Sequence, residues 1–129
     1  MKLLLDTHVL LWSASDPARI ADDARAAVED GANEVRVSVI SAWEITLKQS
    51  LGKLDLPKPA EKWLPKVLRR TGFAIAELAL ADALRVSALP WHHRDPFDRL
   101  LIAQALEGGY TIVTHDEAFA RYGVSLLRA

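Results

Sequence analysis

Four carboxylic acids, Asp6, Glu44, Asp98 and Asp116, stand at places in the chain where strands end or helices begin. Asp6 closes the apolar run Leu3-Leu4-Leu5, and Glu44 lies at the head of a predicted helix in Ser41-Ala42-Trp43-Glu44. Asp98 belongs to His92-His93-Arg94-Asp95-Pro96-Phe97-Asp98-Arg99, which reads as a loop feeding a helix, and Asp116 follows the apolar run Tyr110 to Thr114. Acids gathered in one cleft repel one another, and their pKa values rise unless a cation intervenes. Hard divalent cations prefer oxygen ligands. Mg²⁺ takes a few carboxylates and keeps waters, which leaves room for a phosphate. The chain has no cysteine, and no pair of histidines stands at helix spacing with an acid, so zinc is the weaker fit.

Each acid also has a purely structural reading. Asp95 is a good N-cap with Pro96 at the first helical position, and Asp98 in the first turn gains from the helix dipole while losing water. Glu44 completes a capping box with Ser41 by pattern. Asp116, with Glu117, can cap the next short helix, and Asp6 can simply end a strand. Thr7 and Thr114 are placed to hydrogen-bond the acids, and both are also ordinary residues for a turn and a strand. His92, His93 and His115 offer a general base, but an exposed loop position is the plainer reading of all three. Trp12, Trp43, Trp63 and Trp91 read as core or interface residues rather than as stacking platforms for bases.

The elements that must position these residues alternate along the chain. Leu3 to Leu5 has the form of a buried parallel strand, followed by a helix or a helical turn from Thr7 to Trp12. Asp16-Pro17 starts an alanine-rich amphipathic helix through Ala18 to Glu29, with Gly31 as its stop. Glu34 to Ser38 alternates and carries β-branched residues, as a strand does. Val39 to Leu51 is helical and closes at Gly52, and Leu54 to Pro57 is extended. Pro59 opens a helix that Gly72 ends, and Pro65 falls where it can kink that helix. Phe73 to Ala76 is extended, and Leu80 to Leu89 is helical until Pro90. The helix opened by Asp95 and Pro96 is apolar nearly all round and therefore buried, and Gly108-Gly109 ends it. Tyr110 to Thr114 is the clearest strand, a short helix surrounds Phe119, and Val124 to Leu127 is a last strand. Strands alternating with helices predict a parallel sheet with helices on both faces. In such sheets ligands sit beyond the carboxyl ends of the strands, where the strand order reverses, and all four acids can reach that end.

The 129 residues suit one domain, spanning 1–129, with one real core. A formal net charge of −1 gives no global basic footprint, so a nucleic-acid partner needs a local patch. Between Lys48 and Arg70, seven basic residues face only Asp55 and Glu61, which reads as a strip for a phosphate backbone or as a plain solvated face. The absence of cysteine excludes disulfides and thiolate metal sites and fits a reducing compartment. The three leucines before Asp6 are too few for a signal peptide or a membrane span, so a soluble, cytoplasmic protein is expected, with no membrane partner.

Several stretches together resemble one known family. Leu3-Leu4-Leu5-Asp6-Thr7-His8, Ser41-Ala42-Trp43-Glu44-Ile45 with Leu51-Gly52-Lys53-Leu54, Arg94-Asp95-Pro96-Phe97-Asp98-Arg99 running into Ala105, and Thr111-Ile112-Val113-Thr114-His115-Asp116 with Phe119 are similar, in order, to PIN-domain nucleases of the VapC toxin type. The resemblance covers essentially the whole chain. It implies a three-layer α/β/α fold with a central parallel sheet of order 3-2-1-4-5. It also implies Mg²⁺- or Mn²⁺-dependent cleavage of RNA, a homodimer, and a small VapB-like antitoxin as partner. Carried residue by residue, Asp6, Glu44, Asp98 and Asp116 match the family's acidic quartet, which binds metal and does the catalysis. Thr114 matches a small hydroxyl residue before the last acid, and Asp95 stays outside the quartet. Under this reading Asp6 and Asp98 bind the first metal, Asp116 directly or through water, and Glu44 holds a second metal or orients the attacking water. The products would carry a 5′-phosphate and a 3′-hydroxyl.

Two enzymes with similar openings fit less well. A haloacid-dehalogenase phosphatase needs an aspartate two positions after Asp6, where this chain has His8. A phosphoacceptor receiver domain needs an adjacent acidic pair after its first strand and a lysine after a late one, and neither is present. The alternative from another class is a non-catalytic PIN-like module that binds RNA or a partner. An intact set of four acids weighs against it.

Overall fold

Five short strands pair into one all-parallel sheet: β1 (Lys2–Leu5), β2 (Glu34–Ser38), β3 (Ala74–Ala76), β4 (Thr111–Thr114) and β5 (Ser125–Arg128), in the order β3-β2-β1-β4-β5. The computed structural model describes all 129 residues. Six α-helices connect and cover the strands: α1 (Thr7–Ser15), α2 (Asp22–Glu29), α3 (Val39–Ser50), α4 (Ala60–Thr71), α5 (Leu80–Arg85) and α6 (Pro96–Gly108). The three-layer arrangement and the strand order agree with the expectation from sequence.

The apolar run at the start explains the layering. β1 is the central strand, and Leu3, Leu4 and Leu5 are all fully buried. Successive strand residues point to opposite faces. Leu3 and Leu5 therefore pack with Val9, Leu10, Ala24, Ile45, Trp63 and Val67, from α1 to α4. Leu4 packs on the other face with Leu101, Ile102 and Ala105 of α6, together with Ile112 and Phe119. A strand buried on both faces needs a continuous apolar run and not an alternating one.

Two local departures have physical causes. The helix expected over Ala18 to Glu29 is split into a 3-10 turn, Pro17–Arg19, and α2. Ile20 breaks it with an extended backbone (φ −84°, ψ 134°), which buries its side chain in the core. Propensity in an alanine-rich segment is worth less than burying one isoleucine. Helix α3 is capped by Ser38, whose hydroxyl accepts from the Ile40 amide (3.0 Å), so Ser41 lies in the first turn and makes no capping box with Glu44. Pro65 stands inside α4, and the helix continues to Thr71. Gly109 ends α6 with φ +69°, a conformation that L side chains rarely adopt.

The entry to α6 is held by a buried cation. Arg99, in the first turns of that helix, donates to the carbonyls of Pro90 (2.8 Å), Val86 (3.1 Å) and Leu89 (3.3 Å), and its guanidinium lies 3.7 Å from the centre of the Trp91 ring. Asp95 caps α6, accepting from the amides of Phe97 (2.8 Å) and Asp98 (3.2 Å). These contacts fix where the helix begins and so where Asp98 sits. Arg99→Leu fills part of the space but leaves three carbonyls without this donor. Equilibrium urea unfolding is expected to show a loss of about 2–3 kcal/mol. An unchanged midpoint would mean that the clamp does not hold the loop.

Candidate active site

The sheet's strand order reverses at β1 and β4, and the four acids gather past the carboxyl ends of these two strands. Asp6, just beyond β1, is 6% exposed and caps α1. Its Oδ1 accepts from the His8 amide (3.0 Å) and its Oδ2 accepts from the Thr114 hydroxyl (2.6 Å). Thr114 Oγ1 in turn accepts from the Asp116 amide (3.1 Å), so one hydroxyl at the end of β4 fixes both acids. Burial pushes the Asp6 carboxyl up. The neighbouring His8 imidazole, with Nδ1 3.8 Å away, the Thr114 hydroxyl and the His8 amide more than offset that, and the carboxyl lies below its ordinary value. The same pairing, with Asp6 as the main cause, raises the His8 imidazole above its ordinary value against the effect of its own burial.

Glu44 is equally buried. Its Oε1 accepts from Thr7 Oγ1 (2.7 Å), Ser41 Oγ lies 2.9 Å from the same threonine oxygen, and its Oε2 pairs with Lys48 one helical turn later. That side-chain bond is the main reason the Lys48 ammonium lies above its ordinary value. Desolvation opposes it, and the charges of Glu44, Asp95 and Asp98 reinforce it.

Asp98 is in a different state. It points from the first turn of α6, and no side chain or amide of the protein donates to its carboxylate. Burial first, then the charges of Asp95 and Asp6, push it up to about 7; His93 opposes the shift and Glu44 adds to it. Asp98 thus shows the elevation expected of acids gathered in one cleft. Asp6 escapes it because hydrogen bonds compensate its charge.

Asp116 caps the 3-10 turn Glu117–Tyr122: its Oδ1 accepts from the Ala118 amide (3.0 Å), and its Oδ2 lies 2.9 Å from His93 Nε2. The capping reading of Asp116 thus holds alongside its place in the cluster. His93 corrects the sequence reading of an exposed loop histidine: its side chain is 11% exposed, edge-on to Phe119, with Nδ1 3.0 Å from the Tyr122 hydroxyl. His92 and His115 are exposed, as expected. Trp63 is core, whereas Trp43 and Trp91 are largely exposed.

Sequence reasoning missed Lys48 and His93. The spacing of Glu44 to Lys48, four apart on one helix, was the available signal for the first. Nothing local announces the second, whose partners lie 23 and 29 residues away.

As the side chains stand, no three histidines or acids converge closely enough to hold a metal ion. The donor set nevertheless fits a hard cation. It is all oxygen, and it contains a half-buried carboxylate to which no protein group donates a hydrogen bond. Asp98 can take a cation without giving up an ion pair, whereas Asp6 would share its charge with His8, Glu44 with Lys48 and Asp116 with His93.

The family model described as PIN domain matches residues 3–125. Ribonuclease VapC22 of Mycobacterium tuberculosis is 35% identical over 117 residues, which are 88% of this chain and 86% of the relative. Ribonuclease VapC16 of the same organism is 43% identical over 58 residues, 42% of this chain and 41% of that protein. Among solved structures, VapBC2 from Rickettsia felis, bound to a DNA fragment from its promoter, superposes with a TM-score of 0.75 at 16% identity, covering 99% of this chain and 98% of that one. VapBC-1 from nontypeable Haemophilus influenzae gives a TM-score of 0.68 at 15% identity over 99% and 98%. At such identities the structures show the shared fold.

The state of Asp98 has a consequence for stability. Its folded-state pKa of about 7 lies above the ordinary 3.8. Between those values the folded protein binds a proton that the unfolded chain does not. Stability therefore falls as pH rises from about 4 to about 7 and stays reduced above that. In chelator, Asp98→Asn is expected to melt at a higher temperature than the parent at pH 8 and at nearly the same temperature at pH 4.5. If the carboxylate were only a first-turn dipole partner, the variant would melt lower at pH 8 by a few tenths of a kcal/mol or more.

Proposed function

The chain belongs to the PIN domain family, and we infer that it is a toxin endoribonuclease, a single PIN domain over residues 1–129 that hydrolyses RNA phosphodiester bonds with Asp6, Glu44, Asp98 and Asp116 and a bound Mg²⁺ or Mn²⁺. One observation carries the reading. Acids from four separate elements lie around the switch point of the sheet, and one of them, Asp98, is half-buried without a donor and has its pKa pushed up to about 7. A soluble binding module has no use for that cost, whereas a cation site does. The relative named as a ribonuclease supports RNA as the substrate.

The roles follow from the surroundings of each acid. Asp6 and Asp98 are the direct ligands of the cation; Asp6 is held ionised by the Thr114 hydroxyl and the His8 amide, and Asp98 is ready to give up its proton when positive charge arrives. Bound there, a divalent cation lowers the pKa of a water and neutralises charge developing on the phosphate. Glu44, paired with Lys48 and oriented by Thr7, would accept a hydrogen bond from the attacking water or share a second cation. Asp116 completes the negative wall. In-line attack leaves a 5′-phosphate and a 3′-hydroxyl.

A small VapB-like antitoxin is the proposed partner, which the VapBC neighbours support. The basic stretch singled out in the sequence contributes Lys58, Lys66 and Arg70 to a groove with an apolar floor of Leu11, Leu54, Leu56, Trp63 and Val67. Crowding by Lys58 lowers the Lys66 ammonium below its ordinary value. An amphipathic segment carrying acidic residues suits this groove better than a phosphate backbone does. Exposed Leu80 and Leu84 of α5, with Trp91 nearby in sequence, support a homodimer. No helix is long and apolar enough to cross a membrane.

Cleavage of single-stranded RNA should require Mg²⁺ or Mn²⁺ and stop in EDTA. Asp6→Asn, Asp98→Asn, Asp116→Asn and Glu44→Gln should each reduce the rate by about 100-fold or more while the fold survives, since electrostatic stabilisation of the reacting phosphate is lost. Glu44 makes no capping box, so Glu44→Gln should leave stability within about 1 kcal/mol of the parent. Full cleavage in chelator would overturn the metal-dependent reading. Tight RNA binding without cleavage in either metal would favour the non-catalytic module.

A further inference from the structure

His93 is assigned no role by the acidic quartet, yet it is the most fully built histidine in the protein. Its side chain is 11% exposed and touches Asp116 at Nε2 (2.9 Å) and the Tyr122 hydroxyl at Nδ1 (3.0 Å). The ring stands edge-on to Phe119 (centroids 5.1 Å apart, planes at 85°) and tilted over Tyr122 (5.5 Å, 31°). Two aromatic walls fix the plane of the imidazole, and two hydrogen bonds fix its rotation within that plane.

The bonds also fix which nitrogen carries the proton. An ionised carboxylate can only accept, so Nε2 carries hydrogen and donates to Asp116 Oδ2. Nδ1 is then bare in the neutral ring and accepts the Tyr122 proton. The result is a chain running from phenol to imidazole to carboxylate. It spans three places in the sequence: the loop before α6, the end of the β4 connection, and the 3-10 turn. The loop is the one that leads into Asp98, five residues after His93. Asp116 Oδ1 is held separately by the Ala118 amide. Each oxygen of Asp116 thus has one protein donor. The carboxylate is held in one orientation, and the amide–Thr114–Asp6 link ties its backbone to Asp6.

We propose that His93, locked by Tyr122, is a positioning residue of the active centre: it orients Asp116 relative to Asp6 and Asp98 and thereby sets the strength of divalent-cation binding and the rate of RNA cleavage. This rests on the reading of the acids as a cation site. A carboxylate free to rotate must be ordered at the moment the cation binds. Removing a hydrogen-bond partner that orients a metal ligand commonly costs 10- to 100-fold in affinity or activity.

The variants separate positioning from packing. His93→Phe keeps the aromatic volume against Phe119 and loses both hydrogen bonds. His93→Gln places an amide N–H near the former Nε2. Tyr122→Phe removes only the phenol. Mn²⁺ binding to the metal-free proteins is measured by isothermal titration calorimetry, and cleavage of a single-stranded RNA is resolved into kcat and KM. His93→Phe is expected to bind Mn²⁺ about 10- to 100-fold more weakly and to lose a similar factor in kcat with KM for RNA within about threefold. His93→Gln should recover most of both, and Tyr122→Phe should fall between it and the parent. In ¹⁵N spectra the parent's His93 should show a hydrogen-bonded proton on Nε2, a signature that a merely space-filling ring need not give. The proposal is overturned if His93→Phe keeps parental Mn²⁺ affinity and kcat, or if its losses follow a drop in melting temperature that His93→Gln shares. Asp116→Asn serves as the control: parental Mn²⁺ affinity and cleavage in that variant would remove Asp116 from the site, and the positioning role of His93 with it. A parent protein that binds Mn²⁺ normally but cuts no RNA would count against the ribonuclease reading alone, and the Mn²⁺ affinities would still decide the role of His93.

Discussion

A half-buried carboxylate to which no protein group donates is the constraint around which this site is arranged. Asp98 sits in the first turn of α6 without a donor to its oxygens, and it feels the charges of Asp95, Asp6 and Glu44. Partial burial and these acids disfavour its charged form until a cation is at hand. The surrounding structure makes the position unavoidable. Asp95 caps the helix one turn earlier, Arg99 ties the preceding loop to it through three carbonyls, and the apolar faces of Leu101, Ile102 and Ala105 hold it against the sheet. None of these contacts relieves Asp98. They only ensure that it stays where relief must come from outside the protein.

The other three acids are treated differently, and the difference explains their roles. Asp6 has an amide and the Thr114 hydroxyl, Glu44 has Thr7 and Lys48, and Asp116 has an amide and His93. Each has its oxygens oriented before any ligand arrives. Hydrogen bonds hold the Asp6 carboxyl below its ordinary value, and Glu44, though paired with Lys48, still adds to the repulsion at Asp98. Thr114 matters beyond its size, because a single hydroxyl donates to one acid and accepts from the backbone of another. In a PIN-domain nuclease this division gives a pre-formed rim and one poised centre.

Much of this was legible in the sequence, for identifiable reasons. The central strand announced itself because burial on both faces demands an unbroken apolar run, and Leu3-Leu4-Leu5 is one. Asp95-Pro96 marked the start of α6 because the residues of a helix cap are chosen by local backbone chemistry. The acids were visible because chemistry restricts which residue types can do the work. Less legible was anything decided by contact across the fold. Ser41 and Glu44 carry the spacing of a capping box, but tertiary context starts the helix at Ser38 and turns Glu44 toward Thr7. Ile20 splits a segment whose propensity is uniformly helical. His93 looked like a loop histidine because its aromatic walls and both of its polar partners arrive from a distant turn. The elevation of Asp98 against the lowering of Asp6 could not be read either, since it depends on which carboxylates happen to receive donors.

The reading proposed above makes Asp6 and Asp98 the two direct ligands of a divalent cation. Anomalous diffraction at the manganese edge from crystals of the protein grown with Mn²⁺ tests this at the atoms concerned. A strong peak is expected in coordination contact with both carboxylates, with Thr114 still donating to Asp6. A peak elsewhere, or none at saturating Mn²⁺ while Asp98 stays without a partner, would contradict it.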